Sequence, residues 1–253
     1  MNLISRSAIA LGVVVLAPIA RAQTTGISPA PAASIAAPAA TTAPAATTDP
    51  DAPQRQRLQQ AMTMIRARQA QQAIDGPDAE VLAYFDKRYG GKHDTRYYAA
   101  RTQQEALLYA SMAASQKENA VVLPVTWAQA WFIKGSALNS LGRYAEAVGA
   151  LQHALALSPW NAMYGTELAY SYEEMQQTEK ALAACRHAEV AASFSPDDTK
   201  LADQTRALRC EGFNLTNLRR YDDAVKAYQD ALKLDPEDAK SKHELEYIRQ
   251  VRH

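Results

Sequence analysis

The segment Trp131–Pro159, WFIKGSALNSLGRYAEAVGALQHALALSP, sets Trp131, Gly135, Leu138, Tyr144, Ala147, Leu151, Ala154 and Pro159 at spacings that return further along the chain. A shift of 34 residues yields Gly165, Ala169, Tyr172, Thr178, Ala181, Cys185, Ala188 and Ser193. A second shift of 34, after nine additional residues at 196–204, yields Leu208, Gly212, Leu215, Tyr221, Ala224, Tyr228, Ala231 and Pro236. A fixed period of this length describes one supersecondary unit repeated. Small residues at Gly135, Ala147 and Ala154 let two antiparallel helices approach closely, while Trp131, Leu138 and Leu151 fill the space beside them. Each helix pair leaves an apolar face that only the next pair covers.

These residues resemble the tetratricopeptide repeat family, over 128–161, 162–195 and 205–238. The resemblance implies an all-α fold: a superhelical solenoid of helical hairpins, here with extra N-terminal helices and a C-terminal capping helix. Three departures stand out. Lys134 and Glu211 take a usually apolar position, Gly165 takes the place of a large side chain, and the second repeat lacks its closing Pro. Residues 193–204 are therefore expected to form a longer, acidic connection. Asn161, Ser195 ahead of Pro196, and Asp235 ahead of Pro236 are expected to cap the helices that follow them.

The flanks read as helix. Asp51-Ala52-Pro53 opens a helix carrying Leu58, Met62 and Ile65, which Gly76-Pro77 should break. Val81, Tyr84, Phe85 and Tyr89 continue the pattern as far as Gly90-Gly91. Asp94 is expected to open a third helix with Tyr97, Ala100, Leu107, Leu108 and Met112. Residues 121–125 read as an extended connector rather than a sheet strand. The region 51–126 thus reads as helical, with room for one degenerate repeat. Residues 239–253 suit a capping helix, with Leu245 and Ile248 inward and Lys240, Lys242, Arg249 and Arg252 outward.

The front of the chain differs. Residues 1–22 carry Arg6, an apolar run and Ala20-Arg21-Ala22, the pattern of a bacterial secretory signal cut between Ala22 and Gln23. Fourteen apolar and small residues at ~1.5 Å each fall short of the ~30 Å hydrocarbon core, so stable membrane insertion is not expected. Residues 23–48 hold no charge and no aromatic, and 23–50 is expected to be a disordered Ala/Pro/Thr linker. A periplasmic or secreted location follows from this reading. The 253 residues balance 27 Lys plus Arg against 27 Asp plus Glu. Loss of 1–22 would leave a net charge of −2, with an acidic second repeat between mildly basic ends. That balance argues for protein contact over nucleic-acid binding.

Catalytic patterns are missing: there is no phosphate loop, dinucleotide fingerprint, nucleophile elbow or H-E-x-x-H. No cofactor and no metal are expected. His153 and His187 share a repeat position with Asp230, but neighbouring helices stand ~10 Å apart and metal ligands must meet at ~2.1 Å. Cys185 and Cys210 lie on helices that pack together in the resembled family. They read either as a disulfide stapling the 196–204 insert, contributing roughly 3 kcal/mol in the chain-entropy account, or as two buried thiols. The missing C-x-x-C argues against redox catalysis.

In the resembled family the first helix of each repeat lines a ligand groove. The matching positions here are Gln129, Phe132, Ser136, Asn139 and Ser140, then Met163, Thr166, Tyr170, Glu173 and Glu174, then Arg206, Arg209, Phe213, Thr216 and Asn217. Phe132, Ser136, Asn139, Tyr170, Glu173, Arg206, Arg209 and Phe213 are the candidate groove residues, since aromatic surface with Arg forks suits a peptide. The carboxylate clamp of chaperone-binding members is absent, because its places hold Phe132, Ser136, Glu167, Arg206 and Cys210. The resemblance implies a non-enzymatic adaptor or scaffold for a protein or peptide. Two alternatives stay open: a self-associating structural module, and an enzyme with its catalytic residues in 51–126.

Overall fold

The computed structural model describes residues 49–92 and 94–252. The signal at 1–22 and all but the end of the linker lie outside the described residues. Three helical hairpins follow one another: α5 (Thr126–Ser140) with α6 (Tyr144–Leu157), α7 (Ala162–Glu174) with α8 (Thr178–Ala192), and α9 (Asp197–Asn217) with α10 (Tyr221–Leu234). Helix α11 (Ala239–Val251) closes the stack by burying Ile248 against Leu215, Ala224 and Tyr228.

The small positions of the grid mark where helices touch. A Cβ added to Gly135 would stand 2.5 Å from Leu151 Cγ, and one added to Gly212 would stand 2.8 Å from Tyr228 Cζ. In the second repeat the equivalent pair is Ala169 and Cys185, which cluster with Ala181. A larger residue on one helix faces a smaller one on its partner, so hairpin spacing is preserved while the residues change.

Each hairpin turns through one left-handed residue at the same grid position: Gly142 (φ 72°), Gln176 (φ 58°) and Arg219 (φ 58°). The following amide reaches back to the helix each time, Arg143 N to Leu138 O at 2.9 Å, Gln177 N to Tyr172 O at 2.8 Å and Arg220 N to Leu215 O at 2.8 Å. This 6→1 closure satisfies a carbonyl that the helix end leaves free.

The insert is not a loop. Residues 197–204 are the first turns of α9, which runs 21 residues. Asp197 and Asp198 fall in its first turn, where the helix dipole favours negative charge. The expected caps are also placed differently. Ser195 Oγ donates to Asp203 Oδ2 at 2.8 Å, Asn161 makes no side-chain cap bond, and Asp238 rather than Asp235 caps α11 by accepting from Ser241 N at 3.0 Å.

The N-terminal region departs most from expectation. Helix α1 (Ala52–Arg66) stops ten residues before Gly76, through Arg68 at φ 61° and a Gln69 N to Met64 O bond of 2.9 Å. A short α2 (Ala70–Ala73) then passes through a π-helical turn (Ile74–Asp78), kinked at Gly76, into α3 (Ala79–Tyr89). No helix opens at Asp94. Instead β1 (Arg96–Ala100) and β2 (Ala120–Pro124) pair in parallel, Arg96 opposite Ala120 and Ala100 opposite Pro124, joined through α4 (Gln103–Gln116). The connector at 121–125 is thus largely a sheet strand.

The reason is local. Thr102 accepts from Glu105 N at 3.1 Å, the N-cap bond that starts the helix only after Thr102, while Glu105 Oε2 accepts from Arg101 N, one residue before the cap, at 2.6 Å. Helix α4 accordingly buries Glu105, Tyr109 and Ala113 and leaves Leu107 exposed. The Tyr98 and Tyr109 rings stack at 5.2 Å. Ser158 donates to the Ala99 carbonyl and Arg96 to the Ala156 carbonyl, which ties the strand pair to the end of α6. One core shared by Leu58, Val81, Phe85, Trp127, Ile133 and Tyr164 joins α1 and α3 to the first repeat and to the start of α7.

Candidate functional site

The first helices of successive repeats stand side by side, and α11 extends their row. Between α7, α9 and α11 opens a cleft of about 580 Å³ that takes in Tyr170, Glu173, Arg206, Arg209 and Phe213. Tyr170 and Phe213 are each 42% exposed, large for aromatic rings in a packed array. Positions 206, 209 and 213 share a face of α9 because they are three and four residues apart. Arg206 is exposed and makes no ion pair among the described residues. Arg209 is held by Asp238 Oδ1 at 2.8 Å. For Asp238, burial pushes the carboxyl up, but the Ser241 hydroxyl and amide and the Arg209 cation outweigh it and hold the carboxyl below its usual range.

The other three candidate residues are not in this cleft. Phe132 stacks on Tyr164 at 4.7 Å and packs on the core. Asn139 is buried, its Nδ2 donating to Glu167 Oε1 at 3.0 Å and its Oδ1 accepting from Ser171 Oγ at 2.8 Å. It links two repeats rather than facing a ligand. Ser136 is half-buried on α5 and lies outside the cleft lining.

Lys240 and Glu244 complete the cleft from α11. Their helix reads from sequence as a cap, and the capping role hides that one of its faces extends the groove. Cys210, in the wall of the cleft, is joined in a disulfide to the buried Cys185, with Cα atoms 5.5 Å apart. Asn214 Nδ2 donates to Glu173 Oε1 at 2.6 Å and to Cys185 Sγ at 3.3 Å. Burial raises the Glu173 carboxyl above its ordinary range, the Asn214 bond opposes that shift, and the net direction is up.

Other chemistry-bearing side chains are engaged elsewhere. His153 stacks on Trp131 at 4.4 Å and His187 on Trp160 at 5.7 Å, so the histidine ladder packs on aromatics. Burial lowers the His187 pKa. Among the described residues, the one group of three ligand-type side chains is Glu173, Cys185 and Cys210, whose sulfurs are bonded to each other. No helix among them is long and apolar enough to cross a membrane.

Residues 128–159 and 205–238 each match the family described as tetratricopeptide repeat. No curated protein matches the chain. Similar solved structures include the first TPR domain of human RPAP3, with 24% identity over 49% of this chain and 90% of that one, TM-score 0.43. The Sgt2 TPR domain from Aspergillus fumigatus shares 22% over 49% of this chain and 77% of that one, TM-score 0.43. MamA shares 22% over 77% of this chain and 84% of that one, TM-score 0.47. The chain thus carries tetratricopeptide repeats at 128–159 and 205–238, with a hairpin of the same build between them.

Proposed function

We propose that this protein is a non-enzymatic adaptor of the bacterial cell envelope that holds a protein or peptide partner in the cleft between α7, α9 and α11. The observation that carries the reading is the pairing of two exposed rings, Tyr170 and Phe213, with the Arg206 cation in one cleft. Flat aromatic surface costs little side-chain entropy to use, and an Arg fork adds a directional anchor for carboxylates or carbonyls. The envelope location rests on residues 1–22 and their A-x-A site. Capture of partners from an envelope extract by the purified chain tests the cleft, comparing wild type with Arg206→Ala/Phe213→Ala. Equal recovery by both would remove the cleft from the function. Cell fractionation with N-terminal sequencing tests the location, and an N-terminus other than Gln23 on an exported protein would correct the cleavage site.

A second reading, self-association, is favoured by three exposed apolar side chains around the α8–α9 junction, Val190, Phe194 and Leu201. Sedimentation across a hundredfold concentration range separates it from the first, since a constant monomer excludes it.

A further inference from the structure

The Cys185–Cys210 bridge meets the cleft unevenly. Cys185 is fully buried, whereas Cys210 is half-buried and forms part of the cleft wall. Two polar side chains attend the sulfurs. The buried amide of Asn214 donates to Glu173 Oε1 at 2.6 Å and to the Cys210 carbonyl at 2.9 Å and lies 3.3 Å from Cys185 Sγ, and a Glu173 carboxylate oxygen lies within 4.8 Å of both sulfurs. A disulfide that only staples two helices requires neither neighbour, because a bridged sulfur carries no charge to stabilise. A sulfur that leaves as thiolate is stabilised by a hydrogen-bond donor, and a nearby acid can protonate it afterwards.

We propose that this bridge is a thiol–disulfide exchange site, at which a cysteine thiolate of a peptide in the cleft attacks Cys210 Sγ. A bond forms between the peptide sulfur and Cys210 Sγ, and the bond between Cys210 Sγ and Cys185 Sγ breaks. The electron pair leaves on Cys185 as a thiolate. The peptide thiol is thereby oxidised to a mixed disulfide and Cys185 is reduced, so no further oxidant or reductant enters. The proton shed by the incoming thiol goes to solvent, helped by the neighbouring Arg206 and Arg209 cations, which favour a thiolate in the cleft. Asn214 donates to the departing Cys185 thiolate. Glu173, kept protonated to higher pH by its burial, returns a proton to that sulfur. Access fixes the direction of attack, since Cys185 offers no surface. The result is covalent capture of a cysteine-bearing partner, one partner for each bridge opened. Partner choice rests on the peptide-binding reading of the cleft; the chemistry at Cys210 does not.

The test uses the purified oxidised chain under native conditions with glutathione as probe, acid quench and peptide mass mapping. The expected product carries glutathione on Cys210 alone with Cys185 free. Asn214→Ala is expected to slow its formation roughly tenfold or more, by loss of a bond to a charged sulfur, and Glu173→Gln to change the pH dependence of the rate. In single variants, Cys210 left by Cys185→Ser should react with a thiol reagent in the folded state, and Cys185 left by Cys210→Ser should not. Opening only at the rate of global unfolding, or adducts shared equally between the two sulfurs, would overturn the proposal and leave a structural bridge. A fluorescent peptide followed by anisotropy reads cleft binding separately: exchange with glutathione in a chain that binds no peptide refutes only the cleft reading, and binding without exchange refutes only this one.

Discussion

Gly212 lies against the ring of Tyr228, where an added Cβ would stand within 2.9 Å of three ring carbons. Alanine ordinarily improves a helix interior by about 1 kcal/mol over glycine, yet overpacking a rigid core costs about 1–3 kcal/mol. Tyr228 is 1% exposed and cannot swing away. Gly212→Ala should therefore lower the denaturation midpoint. Gly149→Ala on α6, where nothing lies within 4 Å, should raise it. Paired urea titrations check both signs.

The three hairpin turns need a left-handed residue, and only the first has glycine. A side chain in that conformation costs about 1–2 kcal/mol. Arg219→Gly and Gln176→Gly are each expected to stabilise by up to about 1 kcal/mol, or about 2–4 °C in Tm for a chain of this size. Gly142→Ala should destabilise. Thermal melts of the three variants give the comparison.

Asp78 sits fully buried in the π-helical turn, and burial raises its carboxyl from 3.8 to about 7, opposed in part by the Lys134 cation. The folded chain thus holds this proton more tightly than the unfolded one. Its contribution is complete below about pH 4 and is lost as pH rises through about 7, a difference on the order of 4 kcal/mol. Asp78→Asn should melt above wild type at pH 8, with the gap closing by pH 4. A gap independent of pH would show that the carboxyl does not titrate in the fold.

Asp238 caps α11 and holds Arg209 at once. Its lowered pKa places its contribution above the ordinary carboxylate range and removes it as pH falls below about 4. Asp238→Ala should cost about 1–2 kcal/mol by the lost cap. It should also loosen α11 from α9. Hydrogen exchange is expected to rise first in the amides of 239–251.

The 34-residue grid carried the repeats because it records contacts between residues close in the chain. Gly135 and Leu151, or Gly212 and Tyr228, meet within one hairpin, so size compensation is written into the spacing. The same locality failed at 94–126. Arg96–Ala100 has no period of its own, and its strand partner is supplied by residues 24 further on. Thr102 and Glu105 did carry a readable start signal for α4, and reading it would have moved the helix off Asp94. Of the candidate groove residues, those on α7 and α9 converge while Phe132 and Asn139 are spent on packing and on a bridge between repeats.

The repeat and its register are legible in the residues alone, since they follow from helical spacing and residue size within each hairpin. Only the tertiary structure decided that α11 lends Lys240 and Glu244 to the cleft, that Cys210 shows a face there while Cys185 does not, and that Asp78 is buried at a kink. Those outcomes depend on how much surface each hairpin covers on its neighbour, a property of the stacked array that no single repeat contains.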